Sequence, residues 1–209
     1  MAWLEKLKGH GSSVDPAIRQ AFETVKREDF LPADKIREAG SDRPIGIGFG
    51  QTNSQPSTVI FMLELLAARP GDKILDVGCG TGWTSALLAS IVGANGRVFG
   101  IELIAGLLEA AKVNAAKYPF CRSGRLTLSQ SDGNHGLPES APFDKILVSA
   151  AAREVPASLV EQLKVGGRLV IPIGEPYGSQ DLVVIDKTGK EESKEKRYPG
   201  YIFVPFVKK

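Results

Sequence analysis

A chain of 209 residues is long enough for one domain that buries about 70% of its unfolded surface, and too short for two comfortable ones. With 26 basic and 24 acidic residues the formal charge is +2, and 43% hydrophobic with 24% charged content is ordinary for a globular protein; no strong field favours nucleic acid or membrane. Met1-Ala-Trp-Leu-Glu-Lys-Leu-Lys is interrupted by charge, which argues against a signal peptide or a span of about 20 apolar residues, so the chain is expected to stay in the cytoplasm.

Cys79 and Cys121 are the only cysteines, too few for a disulfide framework, and both read as free thiols. His10 and His135 are far apart, without cysteines at ligand spacing. Each reads as a surface or loop histidine, and no metal site is expected.

In chain order, Asp15-Pro16 opens a predicted helix, with Asp15 as N-cap, Pro16 at its first position, and Ile18, Ala21, Phe22 and Val25 as an apolar stripe. Phe30-Leu31-Pro32 closes it. Residues 33–53 are rich in glycine and proline and show no sustained period, which reads as a long ordered loop: functional, or an arm that covers the sheet. A second helix starts at Ser54-Gln55-Pro56, with Ser54 placed as its N-cap and Val59, Ile60, Met62, Leu63, Leu65 and Leu66 forming its apolar face.

Lys73–Val77 is apolar and β-favouring, Gly78–Gly82 is a glycine turn, and Trp83–Val92 is apolar at helical spacing. A strand, a tight turn and a helix start form a ligand site, because glycines let a ligand approach the backbone and a helix N-terminus offers unpaired N–H groups. A dinucleotide fingerprint would need a third glycine where Trp83 stands. The pattern present is Asp76-x-Gly78-x-Gly80-x-Gly82, with Glu102 lying 102 − 82 = 20 residues beyond, at the end of a second strand, where an acid can accept hydrogen bonds from both ribose hydroxyls. A glycine turn alone can be structural or hold another nucleotide. With Asp76 and Glu102 in register it resembles the motif of S-adenosylmethionine-dependent methyltransferases.

Further on, a strand at 97–102, a helix at 104–116, a strand at 125–130 ending in Ser131-Asp132-Gly133, a strand at 144–150, a helix to about Leu163 and a strand at 168–173 alternate. This predicts an α/β fold: a mostly parallel, Rossmann-like sheet with helices on both faces, which binds its ligand beyond the strand C-termini. Gly78–Gly82, Glu102, Asp132 and Ala150 converge there. Beyond Gln180, two strand-like stretches, 181–186 and 201–207, flank Lys187–Arg197, in which eight of eleven residues are charged. That middle piece reads as an exposed loop or tip between antiparallel edge strands. The organisation expected is an N-terminal helix and loop (1–55), a binding core (56–175) and C-terminal strands (176–209) within one domain.

From about residue 15 onward the chain resembles the protein L-isoaspartate (D-aspartate) O-methyltransferase family. The resemblance rests most specifically on Pro44-Ile-Gly-Ile-Gly-Phe-Gly-Gln-Thr-Asn-Ser-Gln-Pro56 and on Phe203-Val-Pro-Phe206, with support from Asp132-Gly133, Ala150-Ala-Ala152 and Gly166-Gly-Arg-Leu-Val-Ile-Pro-Ile-Gly174. It implies that Gln51, Thr52, Asn53 and Ser54 cover cofactor and substrate, Ser54 being a catalytic residue rather than only a cap. It also implies that Asp76, Gly78, Gly80 and Gly82 hold the methionine end of S-adenosylmethionine, Glu102 the ribose, and Asp132 with Gly133 the adenine edge, with Leu103 also among the cofactor-binding residues. Ala150, Ala151, Val204 and Pro205 would line a peptide groove. One departure is that Asn53 stands where the family usually has isoleucine; a polar amide in a loop closing over the sulfonium could alter substrate fit.

The implied activity is methyl transfer to the free carboxylate of L-isoaspartyl residues in damaged proteins or peptides, by a monomer without nucleic-acid, membrane or metal partners. The resulting ester collapses to a succinimide, which begins repair. A carboxylate with a pKa near 4 is already ionised at neutral pH and needs no general base. A set of convergent motifs with no recognisable histidine pair suits such a reaction better than hydrolysis. Two alternatives remain at this level: a methyltransferase of the same fold with another acceptor, and a catalytically silent S-adenosylmethionine-binding relative.

Overall fold

A computed structural model describes residues 14–176 and 178–206. The reading of His10, the charged N-terminal octapeptide and Val207 lie outside the described residues. Helix α1 (Pro16–Thr24) starts as its sequence requires: Asp15 accepts the Ala17 N–H at 2.7 Å, Pro16 needs no acceptor, and Ile18, Ala21 and Phe22 are buried. Two short 3-10 segments, Arg27–Phe30 and Ala33–Glu38, lead into an antiparallel hairpin of β1 (Ile45–Gly48) and β2 (Gln51–Asn53). The hairpin was not readable as such: its strands have four and three residues and are interrupted by glycine, too little for a period of two to show.

Helix α2 (Pro56–Leu66) corrects the capping expectation. Its N-cap is Gln55, not Ser54, and no side chain caps it locally. Pro56 carries no N–H, and the next one, on Ser57, is reached from across the loop by Asp42 at 2.9 Å. Ser54 is thereby released from the structural duty its sequence position suggested.

The main sheet has seven strands in the order β5-β4-β3-β6-β7-β8-β9. These are β3 (Lys73–Val77), β4 (Arg97–Glu102), β5 (Leu126–Gln130), β6 (Phe143–Val148), β7 (Leu163–Gly174), β8 (Gln180–Lys187) and β9 (Ser193–Tyr201). The pairs from β5 through β7 are parallel, and the last two are antiparallel. Helices α3 (Trp83–Ile91), α4 (Ala105–Ala115) and α5 (Ala157–Glu161) make the parallel crossovers together with the loops. Because β3 and β6 are adjacent while the chain runs outward through β4 and β5 between them, the order reverses at β3 and leaves a crevice beyond the strand ends.

Both faces of the sheet are covered, which is why its inner strands read as continuous apolar runs. Alternation sorts their side chains: Ile74, Leu147 and Val170 join the core under α1 to α3, whereas Leu75, Val77, Ile146 and Val148 join the core on the opposite face. Each fully buried side chain of this kind contributes about 1.5 to 3 kcal/mol.

The C-terminal expectation is corrected. The charged stretch turns at 188–192 and then becomes β9 itself, whose residues Ser193–Arg197 are exposed. Charge there protects an edge strand from pairing with other chains, so the composition that reads as a tip is also that of an edge. The stretch expected as a strand after Tyr201 instead folds back over the crevice: Ala151 N–H donates to the Val204 carbonyl at 2.9 Å, and Phe206 N–H to the Ala151 carbonyl at 2.8 Å.

Candidate active site

The glycine turn after β3 is built as its spacing requires. Gly78, Gly80 and Gly82 have φ of 73°, 57° and 92°, the left-handed region in which a side chain is strained. Gly78 and Cys79 N–H groups both donate to the Ile101 carbonyl, at 2.9 and 3.1 Å, and tie the turn to β4. A Cβ on Gly82 would stand 3.2 Å from that of Ala111, so Gly82 admits the close approach of α3 to α4. Trp83 then heads α3 and packs edge-on against Phe22 at 5.5 Å. No side chain caps α3, and Trp83 and Thr84 at its start line the crevice. Its first N–H groups and dipole therefore favour a polar or anionic ligand group there.

Glu102, at the end of β4, is not an open, solvent-accessible acid. It is only 7% exposed, and both carboxylate oxygens are engaged: one accepts the Gly80 N–H and the other the Ile104 N–H, each at 2.9 Å. The strand end thus delivers a carboxylate that braces the glycine turn and the entrance to α4 while lining the crevice.

Asp76 lies beneath the turn, fully buried, and is not part of the crevice wall. One carboxyl oxygen pairs with the Ser85 hydroxyl at 2.6 Å and the other has no partner among the described residues. Space for that pair comes from Gly100, opposite Asp76 on β4, where a Cβ would stand 2.6 Å from the Ser85 hydroxyl. Burial pushes the Asp76 carboxyl up to about 7, the Ser85 hydrogen bond opposes this, and the charge of Glu102 adds to it. Between about pH 4 and pH 7 the folded protein therefore holds a proton that the unfolded chain has lost. Stability is full below that window, falls by up to about 1.4 kcal/mol per pH unit within it, and levels off above. Asp76→Asn removes the titration, so denaturant titrations should show the variant gaining on the wild type as pH rises from about 5 to 7. A difference that stays constant with pH would refute this.

On the other wall stand Gln51, Thr52, Asn53 and Ser54, brought over the glycine turn by the hairpin. The Ser54 side chain makes no hydrogen bond with the described residues, and its carbonyl is held by Arg27 at 2.9 Å. Asn53 is buried, and its amide oxygen accepts from Arg27 Nε at 2.8 Å. The polar group that stands where isoleucine was expected is thus turned toward a protein cation.

The third wall comes from the ends of β4, β5 and β6 and from the C-terminal segment. Leu103, Gly133, Ala150, Val204 and Pro205 line the crevice. A Cβ on Gly133 would come within 2.6 Å of the Phe206 ring, so only glycine lets the C-terminal segment close down here. Asp132 lies just outside the wall and shapes the turn by accepting the Asn134 backbone N–H at 2.9 Å. Ala151 holds the C-terminal segment by its backbone, and Gly82 packs against α4; neither lines the crevice itself.

The chemistry of the crevice is defined by what its side chains are. Among the lining residues the only ionisable groups are Glu102 and Cys79. Burial, with the nearby charges of Asp76 and Glu102, raises the Cys79 thiol well above its usual range, so it is no thiolate nucleophile. His135 is exposed in the turn after β5. This wall can position and desolvate reactants, and it offers no histidine or lysine to move a proton.

The sequence model of the family described as protein-L-isoaspartate(D-aspartate) O-methyltransferase matches residues 1–209. The chain belongs to that family. Proteins named protein-L-isoaspartate O-methyltransferase from Methanopyrus kandleri and Aeropyrum pernix are 41% and 43% identical over 204 residues, which is 98% of this chain and 89% and 77% of theirs. One from Methylorubrum populi is 44% identical over 194 residues, 93% of this chain and 88% of its own. Among solved structures, a Plasmodium falciparum protein described as a protein-L-isoaspartate O-methyltransferase, in complex with S-adenosyl-L-homocysteine, superposes with a TM-score of 0.88 at 26% identity, covering 100% of this chain and 98% of its own.

Family membership makes S-adenosylmethionine the methyl donor, and the crevice fits it: a glycine turn, an uncapped helix start and a carboxylate meet at one place. Sequence reasoning missed Arg27, Ser85 and Phe206 as parts of this neighbourhood. Arg27 and Ser85 carried no motif signal, and only the fold brings Arg27 to the hairpin. Phe206 belongs to the Phe203-Val-Pro-Phe206 motif, but its contact at Gly133 depends on the fold-back of the C-terminal segment.

Proposed function

We propose that this protein transfers a methyl group from S-adenosylmethionine to the free carboxylate of L-isoaspartyl residues in proteins or peptides, the step that opens their repair. The observation that carries this reading is a crevice combining the glycine turn and Glu102 with a Ser54 hydroxyl that has no hydrogen-bond partner among the described residues, with no histidine or lysine in its wall. When bound, S-adenosylmethionine supplies a methyl on a positively charged sulfur. The acceptor carboxylate is already ionised, so the protein needs only to hold it in line and exclude water.

In this reading Gly78 and Gly80 admit the methionine end against the backbone, with Gly82 behind them seating α3 on α4, Glu102 and Leu103 take the ribose, and Asp132 with Gly133 sets the adenine edge. Asp76 acts from beneath by supporting the turn. Gln51, Thr52 and Asn53 cover the donor. Ser54 donates its hydroxyl to the acceptor carboxylate, and Ala150, Ala151, Val204 and Pro205 border the peptide. The state proposed is a cytoplasmic monomer, in keeping with two free cysteines and with no helix among the described residues long and apolar enough to cross a membrane.

The test is transfer of labelled methyl from S-adenosylmethionine to paired peptides that differ only in an isoaspartyl or a normal aspartyl linkage. Label is expected in the isoaspartyl peptide alone. Label in neither peptide, with S-adenosylhomocysteine still bound, would leave a methyltransferase fold with a different acceptor.

A further inference from the structure

Among the described residues Arg27 is a buried cation without a buried anion. It is 4% exposed, and its guanidinium is committed to oxygens of the segment before α2. Nε donates to the Asn53 amide oxygen at 2.8 Å. One terminal nitrogen donates to the carbonyls of Ser41 at 2.8 Å and Ala39 at 3.4 Å. The other donates to the carbonyls of Arg43 at 2.8 Å, Ser54 at 2.9 Å and Asn53 at 3.3 Å. A guanidinium has five N–H bonds, so this set uses all of them, and the ammonium of a lysine with three could not reproduce it. Its Cζ also lies over the Trp83 ring, 5.3 Å from the centroid.

These partners have a pattern. Arg43 precedes β1, whereas Asn53 and Ser54 close and follow β2, so Arg27 clamps the two feet of the hairpin together. Trp83 is the first residue of α3, directly after the glycine turn. A single side chain therefore fixes the Ser54 backbone relative to the donor end of the crevice. The arrangement is costly, since burial lowers the guanidinium to about 10 against the opposing pull of Asp42. A purely structural clamp could be built from apolar side chains without that desolvation.

We propose that Arg27 is a positioning residue for methyl transfer, holding the Ser54 hydroxyl at the donor end of the crevice, and that Asn53 serves as Arg27's partner instead of contacting the acceptor. The inference rests on the Ser54 role proposed above. Misplacement of a reacting group by about an ångström can cost on the order of 100-fold in rate, so the loss should appear in kcat.

The experiment measures kcat and peptide KM at saturating S-adenosylmethionine, S-adenosylhomocysteine affinity and thermal midpoint for Arg27→Lys, Arg27→Met, Asn53→Ile, the double variant Arg27→Met with Asn53→Ile, and Ser54→Ala. Arg27→Lys and Arg27→Met are expected to lower kcat by about tenfold or more, with S-adenosylhomocysteine affinity within about threefold of wild type. Asn53→Ile should cost less, and nothing further when Arg27 is already methionine. Arg27→Ala assayed with millimolar ethylguanidinium should recover part of its kcat, which a role in global stability alone would not produce. Should Arg27→Met prove too unstable to assay, Arg27→Lys and the Asn53→Ile comparison carry the test.

Wild-type kcat in a folded Arg27→Lys or Arg27→Met protein, alongside a loss in Ser54→Ala, overturns this inference alone. Full turnover by Ser54→Ala overturns the Ser54 role itself. An Asn53→Ile loss that persists undiminished in the Arg27→Met background would show that Asn53 contacts the acceptor.

Discussion

Ser54→Ala is expected to leave S-adenosylhomocysteine affinity within a few-fold of wild type while isoaspartyl methylation falls by about tenfold or more, with 100-fold the scale for a misplaced nucleophile. The structure removes the confounding explanation. An N-cap serine would cost about 1 kcal/mol of stability on truncation, but α2 is capped at Gln55 and reached by Asp42, so Ser54→Ala should melt close to wild type. Its hydroxyl has no partner among the described residues and lines the crevice, so truncation leaves none of their groups unsatisfied. Steady-state kinetics on an isoaspartyl peptide, with a thermal melt of the same sample, checks both halves. A variant that turns over at the wild-type rate would make Ser54 part of the wall and nothing more.

Glu102→Ala should do more than remove a ribose contact. Each carboxylate oxygen accepts a backbone N–H, and hydrogen bonds to a charged group are worth about 1.5 to 3 kcal/mol. Losing the partner of Gly80 frees the turn against which the donor must lie, so S-adenosylhomocysteine should bind about 10- to 150-fold more weakly by calorimetry. The same loss leaves the Gly80 and Ile104 N–H groups without acceptors, and unfolding stability should fall by about 1 to 3 kcal/mol. Glu102→Gln separates the two duties: it keeps one acceptor oxygen but presents an NH2 group to the second N–H, so it should retain part of the affinity and little of the stability. If Glu102→Ala binds and melts like the wild type, the carboxylate is neither brace nor ligand group.

Much of the fold was legible because its signals are local. The inner strands are short apolar runs bounded by turn residues, α1 announces itself with Asp15-Pro16, and the glycine spacing with Glu102 locates the site at the strand ends. The errors fall where local pattern is ambiguous. Charge in Lys187–Arg197 suits both a solvated tip and an edge strand, and only pairing with β8 selects the edge. The segment from Tyr201 has strand composition, yet its backbone is used by Ala151. Serine before Gln-Pro is a favoured cap, but the cap was taken over by Asp42, fifteen residues before the N–H it accepts.

What the sequence by itself determined is the set of elements, their order and the chemistry at the glycine turn, because backbone conformations with positive φ, helix starts and two-faced burial leave their marks within a few neighbouring residues. What only the tertiary structure decided is which polar groups are already spent. Glu102 is engaged by Gly80 and Ile104, Asp76 is enclosed with Ser85, and Asn53 is turned to an arginine that precedes it by twenty-six positions, whereas Ser54 is left open. Satisfying a buried polar group depends on partners brought together by packing, at sequence separations that no local spacing encodes.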